Sequence, residues 1–372
     1  MDLAFQATID FGGLGRYSIG IIRELAKYCD TITVYPSAVS VENPTKHIWW
    51  RNMPNNIVLK EKTNIHRTLV RDSIGFKKHD LVHVNYASLG LPAIFGLKRT
   101  STPFVYTVHH FDRPQNITNK RVLRLKYQFD LGPAFDLMAR YGRIVTISDY
   151  NSEYISRIKN IQPDVVHHGI NPKDYETNDV DIYEKYQIDQ SDDILLFVGK
   201  FHKYKDVTTL IRAMDIITNK KDNVKLVLLS GGGNEEKSIQ QEIYSRDLSE
   251  NVRIIKEITD DILVSFYKKS ECFVMPSKHE CFGLVFLEAM LFGCPIIHTD
   301  GGAANEVVGS AGSTAAVGDE TALAKETIKV LENNEIQNLM KKKGQERVKE
   351  FNWEKSARKY MSIYQEELRK NV

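Results

Sequence analysis

Apolar and polar residues follow a repeating order along this chain, a short apolar run and then a segment with apolar residues at helical spacing. Residues 2 to 9 (DLAFQATI) read as a strand, FGGLGRYS at 11 to 18 as a glycine loop, and IGIIRELAKY as an amphipathic helix. TITVYP, DLVHVNYA and PFVYTVHH are further strands, the last two ending in polar residues, and RIVTISDYNSEYISRI repeats the strand-and-helix unit. The acidic, aliphatic-poor segment PKDYETNDVDIYEKYQIDQSDD then interrupts the rhythm. Beyond it, DILLFVGK, VKLVLLSGGG, VRIIKEI, ECFVMPS and PIIHTDGG read as a second set of strands, with helices around DVTTLIRAMDII, EKSIQQEIY, DDILVSFYKK and GLVFLEAML. Such alternation predicts an α/β chain with two doubly wound parallel sheets, whose sites lie at the carboxyl ends of the strands. The expected domains are residues 1–175 and 176–350. A C-terminal helix, 351–372, carries Trp353, Tyr360 and Tyr364 on or near one stripe.

Composition agrees with two domains: 372 residues are too many for one ordinary core, and 42% hydrophobic content is enough to fill two. No apolar run approaches the ~20 residues of a membrane span, and MDLAFQATID lacks the basic flank and cleavage site of a signal peptide, so a cytoplasmic location is expected. Cys29, Cys272, Cys281 and Cys294 form no C-x-x-C pair and read as reduced structural thiols. The net charge of +2 hides an asymmetry. Residues 1 to 175 hold 23 Lys and Arg against 15 Asp and Glu, a net of +8, while the rest holds 27 against 33, a net of −6. The basic residues are dispersed and no nucleic-acid motif accompanies them, which argues against such a partner. An anionic acceptor or an anionic membrane surface remains open, the inner membrane face included.

Chemistry concentrates in residues 272 to 298, CFVMPSKHECFGLVFLEAMLFGCPIIH. A strand from Cys272 to Met275 is stopped by Pro276, and a helix is expected to start near Phe282 or Gly283 and end at Gly293, before Pro295. The backbone N–H groups of Phe282, Gly283, Leu284 and Val285 would then face outward with the helix dipole behind them, an arrangement suited to a diphosphate. Glu280 falls in the loop. Glu288 falls one to two turns into the helix, where a carboxylate can accept two hydrogen bonds from a sugar or ribose diol. Spacing alone equally allows a plain βα unit with one capping acid and one surface acid.

The run E-x7-E followed by A-M-x-x-G-x-P, carried by Glu280, Phe282, Gly283, Glu288, Ala289, Gly293 and Pro295, resembles the donor-binding motif of the retaining GT-B glycosyltransferases of the family 4 type. These transfer hexoses from nucleotide sugars. The resemblance implies a GT-B fold of two Rossmann-like domains facing a cleft: an N-terminal acceptor domain, a C-terminal donor domain, and a last helix crossing back to the first. It extends over nearly the whole chain. VGKFHKYKDVTTLIRA is similar to the segment whose Arg and Lys bind the donor diphosphate, here Lys200 and Lys205. Lys200 lacks the bidentate fork of the usual Arg, and Asp206 stands where the family has Gly. His109 in VYTVHHFDRP matches the T-x-H motif whose histidine contacts the donor hexose; Asp112 could alternatively orient an acceptor hydroxyl. Gly301 and Gly302, with Glu306 after them, match the G-G-x-x-x-E segment facing the donor. TISDYNSEYI and VHHGINPKDY match landmarks of the cleft floor and the domain link, with His168 in place of the usual Asn.

Two glycine loops invite other readings. FGGLGRYS fits G-x-G-x-x-G only as Gly13, Gly15, Ser18, and no acid ends the next strand to hold a ribose, so a dinucleotide fingerprint fails. In the resembling family, a Gly-Gly turn such as Gly12 and Gly13 lets the backbone approach donor phosphate and acceptor; a simple βα turn is the alternative. LSGGGNEEKS lacks the Gly-Lys of a phosphate-binding loop, since Glu236 precedes Lys237. Gly231 is the candidate there for lining the nucleotide pocket.

Taken together, the resemblance implies a metal-independent retaining hexosyltransferase. It would need no cofactor beyond its nucleotide diphosphate sugar donor, with mannose from GDP or glucose from UDP as leading donors and a glycan or lipid-linked acceptor. His109, Glu280 and Lys205 would be catalytic. Gly12, Gly13, Lys200, Gly231, Phe282 to Val285, Glu288, Gly301 and Gly302 would bind the donor. A catalytically weak sugar-nucleotide-binding protein is the alternative outside the enzymes, and a phosphorylase or sugar-nucleotide epimerase the alternative within them.

Overall fold

The computed structural model describes residues 1–7, 12–36, 53–60, 78–85, 102–111 and 121–370. The chain divides into two compact units. Unit 1 comprises Met1–Pro114, Val122–Asn171 and Asn352–Val372, and unit 2 comprises Gln115–Arg121 and Pro172–Phe351.

Unit 1 contains β1 (Asp2–Ala7), α1 (Gly13–Leu25), β2 (Thr31–Pro36), β3 (Ile57–Leu59), β4 (Leu81–Val84) and β5 (Phe104–Val108). After α2 (Arg121–Phe129), which begins at the last residue of unit 2's short first segment, come α3 (Phe135–Tyr141), β6 (Arg143–Thr146), α4 (Asp149–Lys159) and β7 (Asp164–Val165). The strands form one parallel sheet in the order β3-β2-β1-β4-β5-β6-β7. β1, β4 and β5 are buried on both faces, as their near-continuous apolar runs demand of central strands in a parallel sheet. The direction of strand addition reverses between β1 and β4, the crevice where ligands bind in open α/β sheets.

Unit 2 repeats the plan. Its elements are α5 (Ile182–Tyr186), β8 (Asp193–Val198), α6 (Val207–Thr218), β9 (Val224–Leu229), α7 (Glu236–Ser245), β10 (Val252–Ile255), α8 (Asp260–Lys269) and β11 (Cys272–Met275). They continue with α9 (Leu284–Leu291), β12 (Ile296–Thr299), α10 (Ala304–Val308), β13 (Gly312–Ala315), α11 (Glu320–Leu331) and α12 (Asn334–Arg347). The sheet is parallel, in the order β10-β9-β8-β11-β12-β13, and reverses between β8 and β11. Cys272 and Cys294 lie in its core, where burial pushes both thiols up, and all four cysteines are free.

The last helix, α13 (Trp353–Arg369), belongs to unit 1 and packs on α1. Asn352 caps it by accepting from the Lys355 N–H at 2.9 Å. Its apolar stripe puts Trp353, Tyr360 and Tyr364 into the core, the two tyrosines fully buried. A Cβ on Gly20 would lie 2.4 Å from the Trp353 ring, so α1 presents hydrogen there and the indole fills the space.

Candidate active site

In unit 2 the site is built from the loops that follow β8, β11 and β12, two of them flanking the reversal point. Their backbones interlock. Lys278 N–H donates to the Tyr204 carbonyl at 2.8 Å, Glu280 N–H to Gly301 at 3.1 Å, and Ala303 N–H to Glu280 at 2.7 Å. A Cβ on Gly301 would meet the Ser277 carbonyl at 2.3 Å, and one on Gly302 the Glu280 carbonyl at 2.2 Å. Gly302 also adopts φ +76°, a left-handed conformation that favours glycine. The glycine pair is therefore required by loop packing, independently of any ligand.

Inside this frame the Lys205 ammonium pairs with the Glu280 carboxylate, both side chains about nine-tenths buried. Ser277 Oγ donates to the same oxygen at 3.4 Å. The next residue, Asp206, has φ +48° and caps no amide of α6 with its side chain. Its carboxylate accepts instead from Thr209 Oγ1 at 2.8 Å and from Lys278 Nζ at 2.7 Å. The family's Gly at this place has a physical reason in the left-handed backbone, and Asp206 offsets a strain of about 1 kcal/mol with those two contacts. A cavity of about 330 Å³ lies against this turn, lined by Asp206, Thr209, Arg212, Glu235 and Lys278 among others. Lys200, at the end of β8, is exposed.

The loop carrying Gly231 joins the same end of the sheet, with Phe201 N–H donating to the Gly232 carbonyl at 3.1 Å. A Cβ on Gly231 would meet nothing within 4 Å, whereas one on Gly233 would lie 2.3 Å from the Phe201 carbonyl. Packing thus demands glycine at 233. Gly231 borders open space.

Helix α9 begins at Leu284, one residue after the later of its two expected starts, and ends at Leu291, two residues before Gly293. Gly283 is its N-cap at φ +86°, and Leu284 and Val285 are half-buried in its first turn. The Phe282 ring is turned inward, edge-on to Phe351 at 5.7 Å, so only its backbone is available for a ligand. Glu288 is 2% exposed, and its two oxygens accept from the hydroxyls of Tyr175 at 2.9 Å and Tyr267 at 3.0 Å. Sequence reasoning missed both tyrosines, which come from segments far from the E-x7-E run.

The other candidates stand in unit 1. Gly12 caps α1 and Gly13 is its first residue, with no acid in the first turn. His109 follows β5. Burial, its only identified cause, pulls its pKa down from 6.5 to about 3, so the ring is neutral. His109 Nε2 lies 2.9 Å from Asn85 Oδ1, and the Tyr17 ring meets the imidazole edge-on at 4.4 Å. His168 is buried 5.5 Å away, and burial followed by the neighbouring His109 lowers its pKa too. Beneath them runs a chain of hydrogen bonds. Tyr17 OH is 2.9 Å from Tyr360 OH, which is 2.9 Å from Thr107 Oγ1, which is 2.8 Å from His83 Nε2; His83 Nδ1 bonds Tyr364 OH. Asp112 lies outside the described residues.

Two family models divide this chain between them: Glycosyltransferase Family 4 matches residues 11–174 and Glycosyl transferases group 1 matches residues 180–347. The chain is a GT-B glycosyltransferase of the family 4 type. An uncharacterized glycosyltransferase of Methanocaldococcus jannaschii is 26% identical over 95% of both chains. N-acetyl-alpha-D-glucosaminyl L-malate synthase of Bacillus anthracis is 32% identical over 58% of this chain and 56% of its own. Among solved structures, sucrose-phosphate synthase from Thermosynechococcus elongatus superposes with a TM-score of 0.80 at 21% identity over 98% of each chain. Anabaena HepE, solved with UDP-glucose, gives 0.80 at 17% identity over 97% of this chain and 99% of its own. This chain therefore has the GT-B fold of the glycosyltransferases to which it belongs.

Proposed function

We propose that this glycosyltransferase moves a hexose, mannose or glucose, from a nucleotide diphosphate sugar to a glycan or lipid-linked acceptor, with retention of configuration and without a metal ion. The observation that carries the reading is the Lys205–Glu280 pair, held in the loops after β8 and β11. A buried ammonium is the group needed to take up negative charge on a departing nucleoside diphosphate, and a carboxylate beside it can accept from hexose hydroxyls. No carboxylate offers itself as a covalent nucleophile. In the route we favour, the bond from the anomeric carbon to the phosphate oxygen breaks, that oxygen takes the proton of the acceptor hydroxyl, and the acceptor oxygen bonds the same face of the sugar. Lys205 stabilises the leaving group, Glu280 the hexose, and Glu288 the ribose.

Contact with an anionic membrane surface is part of the proposal. It draws on the basic excess of residues 1 to 175 and on α2, RVLRLKYQF, where Leu125 and Phe129 are 58% and 47% exposed. No helix among the described residues is long and apolar enough to cross a membrane. A thermal-shift panel of nucleoside diphosphates and nucleotide sugars identifies the donor, because a ligand of the native state raises the melting temperature. Lys205→Ala combined with Glu288→Ala is then expected to abolish donor hydrolysis and transfer; near wild-type rates would refute the site. Failure to float with anionic vesicles at low salt would refute the membrane contact.

A further inference from the structure

We infer that Asn85 is a positioning residue that locks His109 in the Nε2–H tautomer, so that Nδ1 is the accepting atom in the histidine–hexose contact that the family resemblance already implies. The inference rests on the proposed function for its ligand and on unit 1 alone for its geometry.

The argument begins with an atom that can only accept. Asn85 Nδ2 bonds the backbone carbonyl of Gln6 at the end of β1. A carbonyl has no proton to give, so the atom facing it must be the amide nitrogen, and the side-chain orientation is settled by that contact. Asn85 Oδ1 is thereby turned to His109 Nε2, 2.9 Å away. Oδ1 also can only accept, so Nε2 must carry the proton. In a neutral imidazole the other nitrogen then has a bare lone pair. That nitrogen, Nδ1, is buried and has no hydrogen-bond partner among the described residues.

A bare buried acceptor destabilises the fold unless something donates to it. The chain holds it in place nonetheless: Tyr17 packs edge-on against the ring, and the Tyr17 hydroxyl is fixed by Tyr360. The position, directly after β5 and two strands from the β1/β4 reversal, is where this fold places ligands. The missing partner must be an O–H or N–H donor. An anion such as phosphate is excluded as the preferred partner, since two acceptors would meet. Among the components of a nucleotide sugar and a glycan, the sugar hydroxyl is the abundant donor of the right kind.

The test uses the full-length protein with ¹⁵N-labelled histidine, the His109 signals assigned by their loss in His109→Gln. Two-bond ¹H–¹⁵N spectra of the free protein should show a protonated Nε2 and an unprotonated Nδ1. Asn85→Leu should convert this to a tautomer mixture, while Asn85→Asp, which keeps the acceptor, should preserve Nε2–H. Saturation with UDP-glucose or GDP-mannose should shift Nδ1 in the direction of an accepted hydrogen bond, and UDP or GDP alone should leave it in place. Asn85→Leu should also weaken sugar-nucleotide binding relative to the nucleoside diphosphate by roughly tenfold, the size of one neutral hydrogen bond. A protonated Nδ1, or an unchanged tautomer in Asn85→Leu, would overturn the Asn85 assignment. An Nδ1 signal unmoved by a bound sugar nucleotide would mean that only water satisfies it and would overturn the hydroxyl assignment. If no sugar nucleotide of the thermal-shift panel binds, the proposed function fails and the hydroxyl assignment with it. The tautomer in the free protein is decided separately in every case.

Discussion

The two units use the same sheet plan and the same end of it, yet their candidate residues are held by opposite electrostatics. In unit 2 the centre is charged: Lys205 against Glu280, Lys278 against Asp206, and Glu288 under two tyrosine hydroxyls. In unit 1 the centre is neutral: three buried histidines with lowered pKa values, three buried tyrosines and Thr107. A buried pair of full charges can re-form around a charged ligand. A chain of neutral hydroxyls and imidazoles fixes directions and changes its charge only at a high cost. The difference suits one unit to a diphosphate and the other to uncharged sugar.

The largest break in this comparison should come from Lys205→Ala, which strands the Glu280 carboxylate. Loss of one partner of a buried pair costs about 3–5 kcal/mol, and the slight exposure here puts the expected loss near the lower figure, read from denaturant unfolding followed by circular dichroism. Replacing both partners, Lys205→Met with Glu280→Leu, should recover most of that stability and none of the transfer activity. Recovery of both would mean that the pair is structural only.

Acid should sharpen the contrast from the other side. The folded pKa of His109 is depressed from 6.5 to about 3, so between those values the unfolded chain binds a proton that the folded chain refuses. Stability is then fully present above about 6.5 and is lost as pH falls towards 3, by up to ~1.4 kcal/mol per pH unit for this histidine. His83 and His168 are shifted in the same direction, chiefly by burial. All three tryptophans, Trp49, Trp50 and Trp353, fall in unit 1, so their fluorescence during urea titrations at pH 7 and pH 5 reports on that unit. The midpoint should fall at pH 5, and less so in His109→Gln. A smaller effect is expected from Tyr360→Phe, which takes one hydroxyl from the middle of the chain and should cost about 1–2 kcal/mol by the same fluorescence assay.

Much of this was legible in the sequence where a pattern is local. The strands around DILLFVGK and PFVYTVHH and the loop-to-helix passage at Gly283 follow from apolar runs, glycines and prolines a few residues apart. The Lys205 and Glu280 loops could be matched to a family because their motifs are contiguous. What stayed hidden is what the fold brings together from far away. Asn85 gave no signal beyond ending a strand with a polar residue, and its role depends on a carbonyl 79 positions earlier. Tyr175 reaches Glu288 across 113 positions. The glycine loops show a subtler limit, for the letters at Gly231, Gly301 and Gly302 look alike. Only the backbone distances separate a glycine bordering open space from two that are wedged against a carbonyl.

The bond between Tyr17 and Tyr360 joins residues 343 apart. On a ribosome, the first sheet of this chain emerges well before the helix that completes its core, because Trp353, Tyr360 and Tyr364 are made only after the whole Pro172–Phe351 stretch of unit 2. Unit 2 lies almost entirely within one uninterrupted stretch, Pro172–Phe351, and needs no later segment to complete its core. The unit encoded first is thus the last to finish folding. Until then, the groove on α1 that Trp353 fills stays uncovered.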